Sequence, residues 1–361
     1  MSKHYIIPIF VPHYGCPHDC VFCNQKKITG LSTDVTSMDV ENIIEDHLTT
    51  FKSGATVEVA FYGGSFTAID IDVQKKLLSI PYEYKKKGKI DGIRLSTRPD
   101  CIDEKILKNL KDYLVDTIEL GVQSLDDSVL YKSGRGHTTL DVYKAVNLIK
   151  EFGFNLGLQM MVGLPGDTSE KVIYTCKEFI KLSPYCVRIY PTLIIKDTYL
   201  EKLFLDEEYS PITFEDAVDI CSTLLMLFNI NNIDVIRIGL QPTENIQLGK
   251  DVVAGPFHPA FRQMVESNIF RLLFRYYFDS KEIDIHNKEL IIESNSKNIS
   301  AIAGQKSSNI NYFTKEYNLR KIKLYTGELD LDHINITIDG FYDKINMKLL
   351  MESYLKANSI I

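Results

Sequence analysis

The chain has 361 residues, 45% of them hydrophobic, and a formal net charge of −7. That is length for one large domain and a smaller one, at a composition ordinary for globular proteins. No apolar run approaches the ~20 residues that span a bilayer, and the N-terminus MSKHYIIPIF lacks the apolar core and cleavage site of a signal peptide, so the expected location is the cytoplasm. The acidic balance argues against broad, nonspecific nucleic-acid binding and leaves room for a local basic groove.

Along the first two-thirds of the chain, short β-branched runs alternate with amphipathic stretches. Strands are expected at 5–11, 56–62, 90–96, 117–121, 155–162 and 186–193, and helices at 38–51, 73–87, 103–114, 140–152 and 169–182, with Asp103 and Ser169 as N-caps. Six βα units predict an α/β fold, a partial (β/α)6 TIM-like barrel open on one side, with function at the C-terminal ends of its strands. A helix at 214–228, a strand at 235–240 and the segment GPFHPAFRQMVES follow. From residue 290 the order strand, helix, helix, strand, strand predicts a small α/β accessory domain. The expected division is a core at 1–245, a connecting segment at 246–285 and the accessory domain at 286–361.

The most informative segment follows the first strand: Cys16-Pro-His-Asp-Cys20-Val-Phe-Cys23. Three thiolates are one ligand short of a closed metal site. They can hold three irons of a [4Fe-4S] cluster and leave the fourth open. With His13 or His18 as a fourth ligand, the same cysteines would make a Cys3His zinc site. Cys101, Cys176, Cys186 and Cys221 are expected to be buried thiols, not disulfides.

Other candidates sit at later strand ends. Gly63-Gly64-Ser65-Phe66 ends the second strand, where paired glycines let a ligand approach the backbone. Gln123 and Arg135 lie at and just beyond the fourth, offering an amide for a hydroxyl and a planar donor pair for a carboxylate. The fifth ends in Gln159-Met-Met-Val-Gly163-Leu-Pro165-Gly166, a rigid turn.

The C-x3-C-x2-C spacing, with Phe22 before its last cysteine, resembles the signature of the radical S-adenosylmethionine (SAM) superfamily. With GVQSLDDSVL, GRGHTTLDVYKAV, GFNLGLQMMVGLPG and VRIYPTLIIKDTYLEKL, about residues 5–205 resemble the radical SAM domain of the Elongator catalytic subunit family and, more distantly, the oxygen-independent coproporphyrinogen oxidase group. The resemblance implies a radical SAM barrel in which Cys16, Cys20 and Cys23 bind a [4Fe-4S] cluster. Gly63 and Gly64 would contact the SAM amino group, Arg135 its carboxylate and Gln123 its ribose. Ser96 and Gln159 stand where the coproporphyrinogen oxidase-like pattern has acids that hold SAM, so both are carried as cofactor contacts of a different kind.

The compact cysteine spacing lacks the insertion often found in the Elongator type, and no acetyltransferase domain follows the barrel, so the acetyl-CoA half of that reaction is not implied. What is implied is an enzyme that reductively cleaves SAM to a 5′-deoxyadenosyl radical, fed by a reductant such as flavodoxin or ferredoxin. No residue is assigned to catalysis itself.

For the substrate, Tyr190-Pro191-Thr192-Leu193 and Lys196 resemble an Elongator segment and point to a tRNA base, although the segment could simply close the barrel. The run ISAIAGQKSSNINYF has the helix, turn, helix order of a KH module, with Ser307 in place of the second glycine and Lys306 for phosphate affinity; a solvated turn is the plainer reading. The competing class is a non-catalytic haem chaperone of the coproporphyrinogen oxidase-like group, with Phe257 and His258 as contacts for a flat cofactor.

Overall fold

The computed structural model describes residues 4–11, 16, 18, 20–24, 35–52, 54–243 and 245–361. The chain forms two compact units, one of residues Met1–Ile212 and Leu240–Phe257, the other of Thr213–Gly239 and His258–Ile361.

The first unit is built on six parallel strands in sequential order: β1 His4–Val11, β2 Thr56–Gly63, β3 Gly92–Thr97, β4 Thr117–Gln123, β5 Asn155–Val162 and β6 Cys186–Pro191. Between them run helices α1 Ser37–Thr50, α2 Ile71–Lys86, α3 Glu104–Asp112, α4 Asp127–Lys132, α5 Thr139–Glu151 and α6 Ser169–Lys181. The strand–helix alternation and the partial barrel are those expected. Helix starts follow the capping chemistry: Asp103 accepts from the Ile106 N–H, and Thr138 and Asp141 form a reciprocal capping box. One N-cap shifts. Thr168, not Ser169, accepts the Lys171 N–H, and Ser169 is the first helical residue.

The parallel register decides which side chains share the concave face. Ser96 stands beside Glu119, Gly121 beside Gln159, and Gln159 beside Arg188. With period-two alternation, Arg94, Ser96, Glu119, Gln159, Arg188 and Tyr190 line one side of the sheet. Apolar residues on the other side, such as Ile93, Leu95, Ile118 and Leu120, are fully buried. Gly157 is small because a Cβ there would come within 2.7 Å of Glu119 Cγ.

The second unit contains α8 Phe214–Ile230, β8 Asp234–Ile238 and α9 Phe261–Ser280, then the sheet β11-β10-β12-β13. Here β10 is Glu289–Ser294, β11 Lys321–Thr326, β12 His333–Ile338 and β13 Phe341–Asn346, with β10 parallel to β11 and the other pairs antiparallel. Helices α10 Ser296–Ala303, α11 Ser308–Glu316 and α12 Met347–Ala357 accompany it.

The units do not divide at 245 and 285. Helix α8 buries ten residues and is tied to α9, where Ser222 Oγ donates to the Val265 carbonyl at 3.2 Å and accepts from Asn268 Nδ2 at 3.1 Å. Residues 246–285 are therefore no linker: Ile246 and Val252 pack in the core of the first unit, while α9 is part of the second. No helix among the described residues is long and apolar enough to cross a membrane.

Candidate cofactor site

The cysteine loop leaves the C-terminal end of β1 and is held by backbone bonds on both sides of its apolar middle. The Val21 N–H donates to the Ser133 carbonyl at 3.1 Å, and the Leu200 N–H, at the start of α7 Tyr199–Leu205, donates to the Val21 carbonyl at 2.7 Å. Val21 then packs with Ile194 and Leu200, and Phe22 lies against that cluster. Ile194 and Ile195 form β7, paired with β9 Val252–Ala254, so the YPTLII segment props the cysteine loop. Lys196 is exposed, while Tyr190 lies near Arg188 and Tyr62.

Two buried arginines converge on Cys20. Arg135 Nη1 donates to Cys20 Sγ at 3.1 Å and Arg98 Nη1 approaches it at 3.8 Å. Arg98 is fixed by Asp100, at 2.9 Å from its Nε, and donates to the Arg135 carbonyl; Arg135 in turn donates to the Gly121 carbonyl. Burial pushes the Cys16 thiol up, against the opposing pull of the Ser65 backbone and Arg98.

Gly63 ends β2, and its place there has a structural reason. Gly63 has φ +104° and a Cβ on it would lie 2.5 Å from the Val11 carbonyl, while the Gly64 N–H donates to that oxygen at 3.1 Å. The end of β2 thus lies against the strand that launches the cysteine loop.

The donor set fits the cluster and SAM on a further observation. Gln123, at φ +73°, is 9% exposed and its Oε1 has no partner; Arg135 is 6% exposed and its Nε has none. His137, 3% exposed, has neither ring nitrogen in good hydrogen-bond geometry, the nearest being to the Val122 backbone. Buried polar atoms left unpaired cost about 1–3 kcal/mol each, so three such side chains beside the cysteine loop mark a place where a ligand completes the bonding. Burial, with Arg135 and Arg98 nearby, pushes His137 down to about 3, so the ring is neutral.

Among the described residues no group of three His, Cys, Asp or Glu side chains is placed to hold one metal ion, whereas a Cys3His zinc site gathers its ligands within ~2.3 Å of a single centre. A cubane spreads the same thiolates over separate irons. His18 stands 4.0 Å from Asp100, and His13 lies outside the described residues.

Below the rim lies a charged cluster that composition and motif matching missed. Glu119, 1% exposed, sits 3.1 Å from Arg94 Nε and 2.5 Å from Arg188 Nε, and Arg94 also pairs with Glu58 at 3.1 Å. Burial alone would raise the Glu119 carboxyl, but Arg188 and Arg94 hold it below the usual carboxylate range. Gln159 Nε2 donates to Glu119 and to Ser96 Oγ, both at 3.1 Å. Ser96 and Gln159 are therefore bonded to each other. The signal in the sequence was charge at alternate positions inside β-branched strands: IRLS, IELG and VRIY.

At the end of β5, Asp167 fixes the Gly163–Gly166 turn by accepting from the Gly163 N–H at 3.1 Å and the Thr168 N–H at 3.0 Å; burial raises it to about 6. Of the four other cysteines, Cys176, Cys186 and Cys221 are buried as expected, but Cys101 is only partly so, because it ends the short turn Pro99–Cys101 on the rim. Phe257 packs in the apolar cluster of Leu193, Ile195, Ile246 and Val252. His258 Nδ1 accepts from the Ala260 N–H at 3.0 Å and its ring meets Phe214 edge-on, the role of a turn residue before α9. In the KH-like segment, Lys306 and Ser307 form an exposed left-handed turn, anchored by Asn309 Nδ2 on the Ser267 carbonyl at 2.8 Å.

Comparison with known proteins agrees with this geometry. A tRNA uridine(34) acetyltransferase of Methanocaldococcus infernus is 31% identical over 189 residues, 46% of this chain and 35% of that one. The heme chaperone HemW of Lactococcus lactis is 29% identical over 185 residues, 50% and 48% of the two chains. The chain thus spans from a third to a half of the length of these relatives. The solved structure of Methanocaldococcus infernus Elp3 with its N-terminus (1-46) deleted shares the fold at a TM-score of 0.56 and 21% identity, covering 78% of this chain and 64% of that one. Residues 10–179 match the radical SAM superfamily and residues 184–271 the radical SAM C-terminal domain, together well over half of the chain. The chain belongs to the radical SAM superfamily, whose members use a [4Fe-4S] cluster and S-adenosylmethionine.

Proposed function

We propose that the protein is a radical SAM enzyme acting on a tRNA base, with its cluster on Cys16, Cys20 and Cys23. When bound, the cluster and SAM supply reductive cleavage of the sulfonium and a 5′-deoxyadenosyl radical that takes a hydrogen atom from substrate. The protein's part is binding and orientation. Arg135 and Arg98 aim donors at Cys20 Sγ, and Gly63-Gly64 end β2 against the strand that leads into the cysteine loop. Gln123 Oε1 can accept from a ribose hydroxyl and Arg135 Nε can donate to a carboxylate. Ser96 and Gln159 offer the cofactor neutral groups where the coproporphyrinogen oxidase-like pattern offers acids, and their anchorage on Glu119 keeps them in place.

The observation that carries the reading is the set of unpartnered buried atoms on Gln123, Arg135 and His137, with Arg135 bonded to Cys20 Sγ. The tRNA assignment rests on the tRNA uridine(34) acetyltransferase relatives and goes no further than the shared segment. An external reductant such as flavodoxin or ferredoxin is required. The test is anaerobic reconstitution with strong reductant, followed by 5′-deoxyadenosine detection with and without unmodified tRNA. Cleavage stimulated by tRNA is expected, and absence of cleavage by a fully loaded cluster overturns the enzyme reading. The heme chaperone relative motivates a second reading, a haem carrier, checked by spectral titration of the same preparation with haem.

A further inference from the structure

The second unit contains a cleft that the cofactor site does not use. Its volume is about 190 Å³, below the ~300–1,000 Å³ of clefts that take drug-sized ligands, so it suits a small molecule. Its walls carry opposite charge. On one side α8 presents Glu215 and Asp219, both exposed; on the other α9 presents Arg271, and Ser308 at the start of α11 forms the lip. The amide of Asn268, 4% exposed, stands between these charges: its Nδ2 donates to Asp219 Oδ1 at 2.7 Å, and its Oδ1 accepts from Arg271 Nη2 at 2.6 Å. Arg271 also lies over the Tyr312 ring, 5.6 Å from its centroid. Carboxylate and guanidinium are therefore each fixed through one amide, and a guanidinium has five N–H donors, more than Asn268 takes up.

Two further groups lack partners. Ser267 lines the cleft at 4% exposure, and its hydroxyl has no hydrogen bond. A serine inside a helix can bond the carbonyl one turn back, as Ser222 Oγ does to Val218 at 2.7 Å, so the unbonded Ser267 hydroxyl stands out. The N-cap of α11, Ser307, makes no side-chain bond to the first turn, which leaves the positive end of that helix uncapped at the lip. Asn309 Nδ2 anchors this end on the Ser267 carbonyl at 2.8 Å.

We propose that the cleft binds a free α-amino acid with an apolar side chain. The ammonium group meets Asp219 and Glu215, the carboxylate meets Arg271 and the first turn of α11, and the Ser267 hydroxyl donates to that carboxylate. Phe214, Val218 and Met264 supply the apolar wall for the side chain. A polyanion such as RNA is repelled by the two acids and a simple cation by Arg271, whereas a molecule with both charges a few bonds apart satisfies both walls.

The test is equilibrium binding of L-leucine, L-methionine and L-phenylalanine to the full-length, cluster-loaded protein without SAM. One saturable site per chain is expected, with a Kd of about 1 mM or tighter for at least one of them. For leucine, 3-methylbutylamine and 4-methylpentanoate, which each lack one charge, should bind at least about tenfold more weakly than the amino acid. Asp219→Asn, which keeps an acceptor for Asn268, and Arg271→Gln should each weaken binding by about 10- to 100-fold at unchanged circular dichroism. Arg135→Gln, in the cofactor site, should leave it unchanged. Should either cleft variant lower the urea midpoint, Ser267→Ala removes only an unbonded hydroxyl and should still weaken binding by about 2- to 10-fold. The proposal is overturned if none of the three amino acids binds below about 10 mM, or if the amine or the carboxylate binds as well as leucine. It is also overturned if Arg135→Gln, and not the cleft variants, abolishes binding, since the amino acid would then occupy the cofactor site.

Discussion

Two layers of the barrel interior, one on the strands and one at the end of β4 and in the loop after α4, treat polarity differently. In the lower layer the charges largely answer one another: Glu119 lies between Arg94 and Arg188, and Gln159 ties Ser96 to Glu119, while Arg94 Nε, 3.1 Å from Glu119, makes no hydrogen bond. In the rim layer Gln123 Oε1, Arg135 Nε and both His137 nitrogens are buried without good partners. Matched charges in a buried layer fix a unique geometry, while unmatched donors and acceptors are tolerated where a ligand supplies the missing bonds. The contrast is one of degree, since Arg94 Nε and Thr117 Oγ1 are also without a partner. It explains why Ser96 and Gln159, which resemblance placed among the cofactor contacts, are already half committed to the scaffold.

The largest effect expected is at the rim. Cys16→Ser, Cys20→Ser and Cys23→Ser each remove one of only three thiolates. Iron and sulfide in the anaerobically reconstituted protein should fall from about four per chain to near zero, and SAM cleavage with them, while circular dichroism stays native. Next comes the scaffold. Glu119→Leu strands two buried guanidinium groups, and the loss of one partner from such a buried pair costs about 3–5 kcal/mol, read as a lower denaturation midpoint in urea. Glu119→Gln keeps some hydrogen bonds and should cost less. Equal stability of wild type and Glu119→Leu would show that the lower layer is not what holds the strands in place.

How far the sequence reveals this contrast differs between the layers. The cysteine spacing, the paired glycines and the βα alternation are local patterns, and the strands and helices they predict are present within a few residues. The lower layer is a product of register. Arg94, Glu119 and Arg188 come from three strands, and nothing in any one of them says that the three share a face until the parallel pairing is known. His137 was in view inside GRGH, but only its burial distinguishes it from a surface histidine.

Outside the barrel, α9 was not expected because its N-cap, Ala260, offers no side-chain cap, and its run FRLLFRYYF is apolar on nearly every side, which blurs the helical period. Cys101 was expected to be buried because isolated cysteines usually are. Its place on the rim depends on the turn Pro99–Cys101.

A smaller effect, confined to the rim, should follow Arg135→Gln. The arginine has a charge-assisted bond to Cys20 Sγ and one to the Gly121 carbonyl, and such bonds contribute about 1.5–3 kcal/mol. SAM affinity should fall by about 10- to 100-fold, measured by equilibrium binding to the loaded protein. Glu119→Gln, acting in the lower layer, should move SAM affinity much less than it moves stability. If the two substitutions change affinity equally, the layers are one site and the contrast fails.

The smallest effect is one of pH, and it sharpens the contrast because the two layers lose stability in acid over different pH ranges. His137 is held at about 3 by burial with Arg135 and Arg98 nearby, against about 6.5 in an unfolded chain. Between those values the unfolded state carries the proton and the folded state does not. Stability of the cluster-free protein should therefore fall as pH drops from about 6.5, by at most about 1.4 kcal/mol per unit for this one group. His137→Phe removes that dependence, so its urea midpoint should change less than wild type's between pH 7 and pH 5. Glu119, held below its usual range by Arg188 and Arg94, stays ionised throughout this window and loses its stabilising charge only in stronger acid. A wild-type midpoint that is flat from pH 7 to pH 5, with His137→Phe equally flat, would mean that the imidazole finds a partner in solution and is not part of the unsatisfied rim.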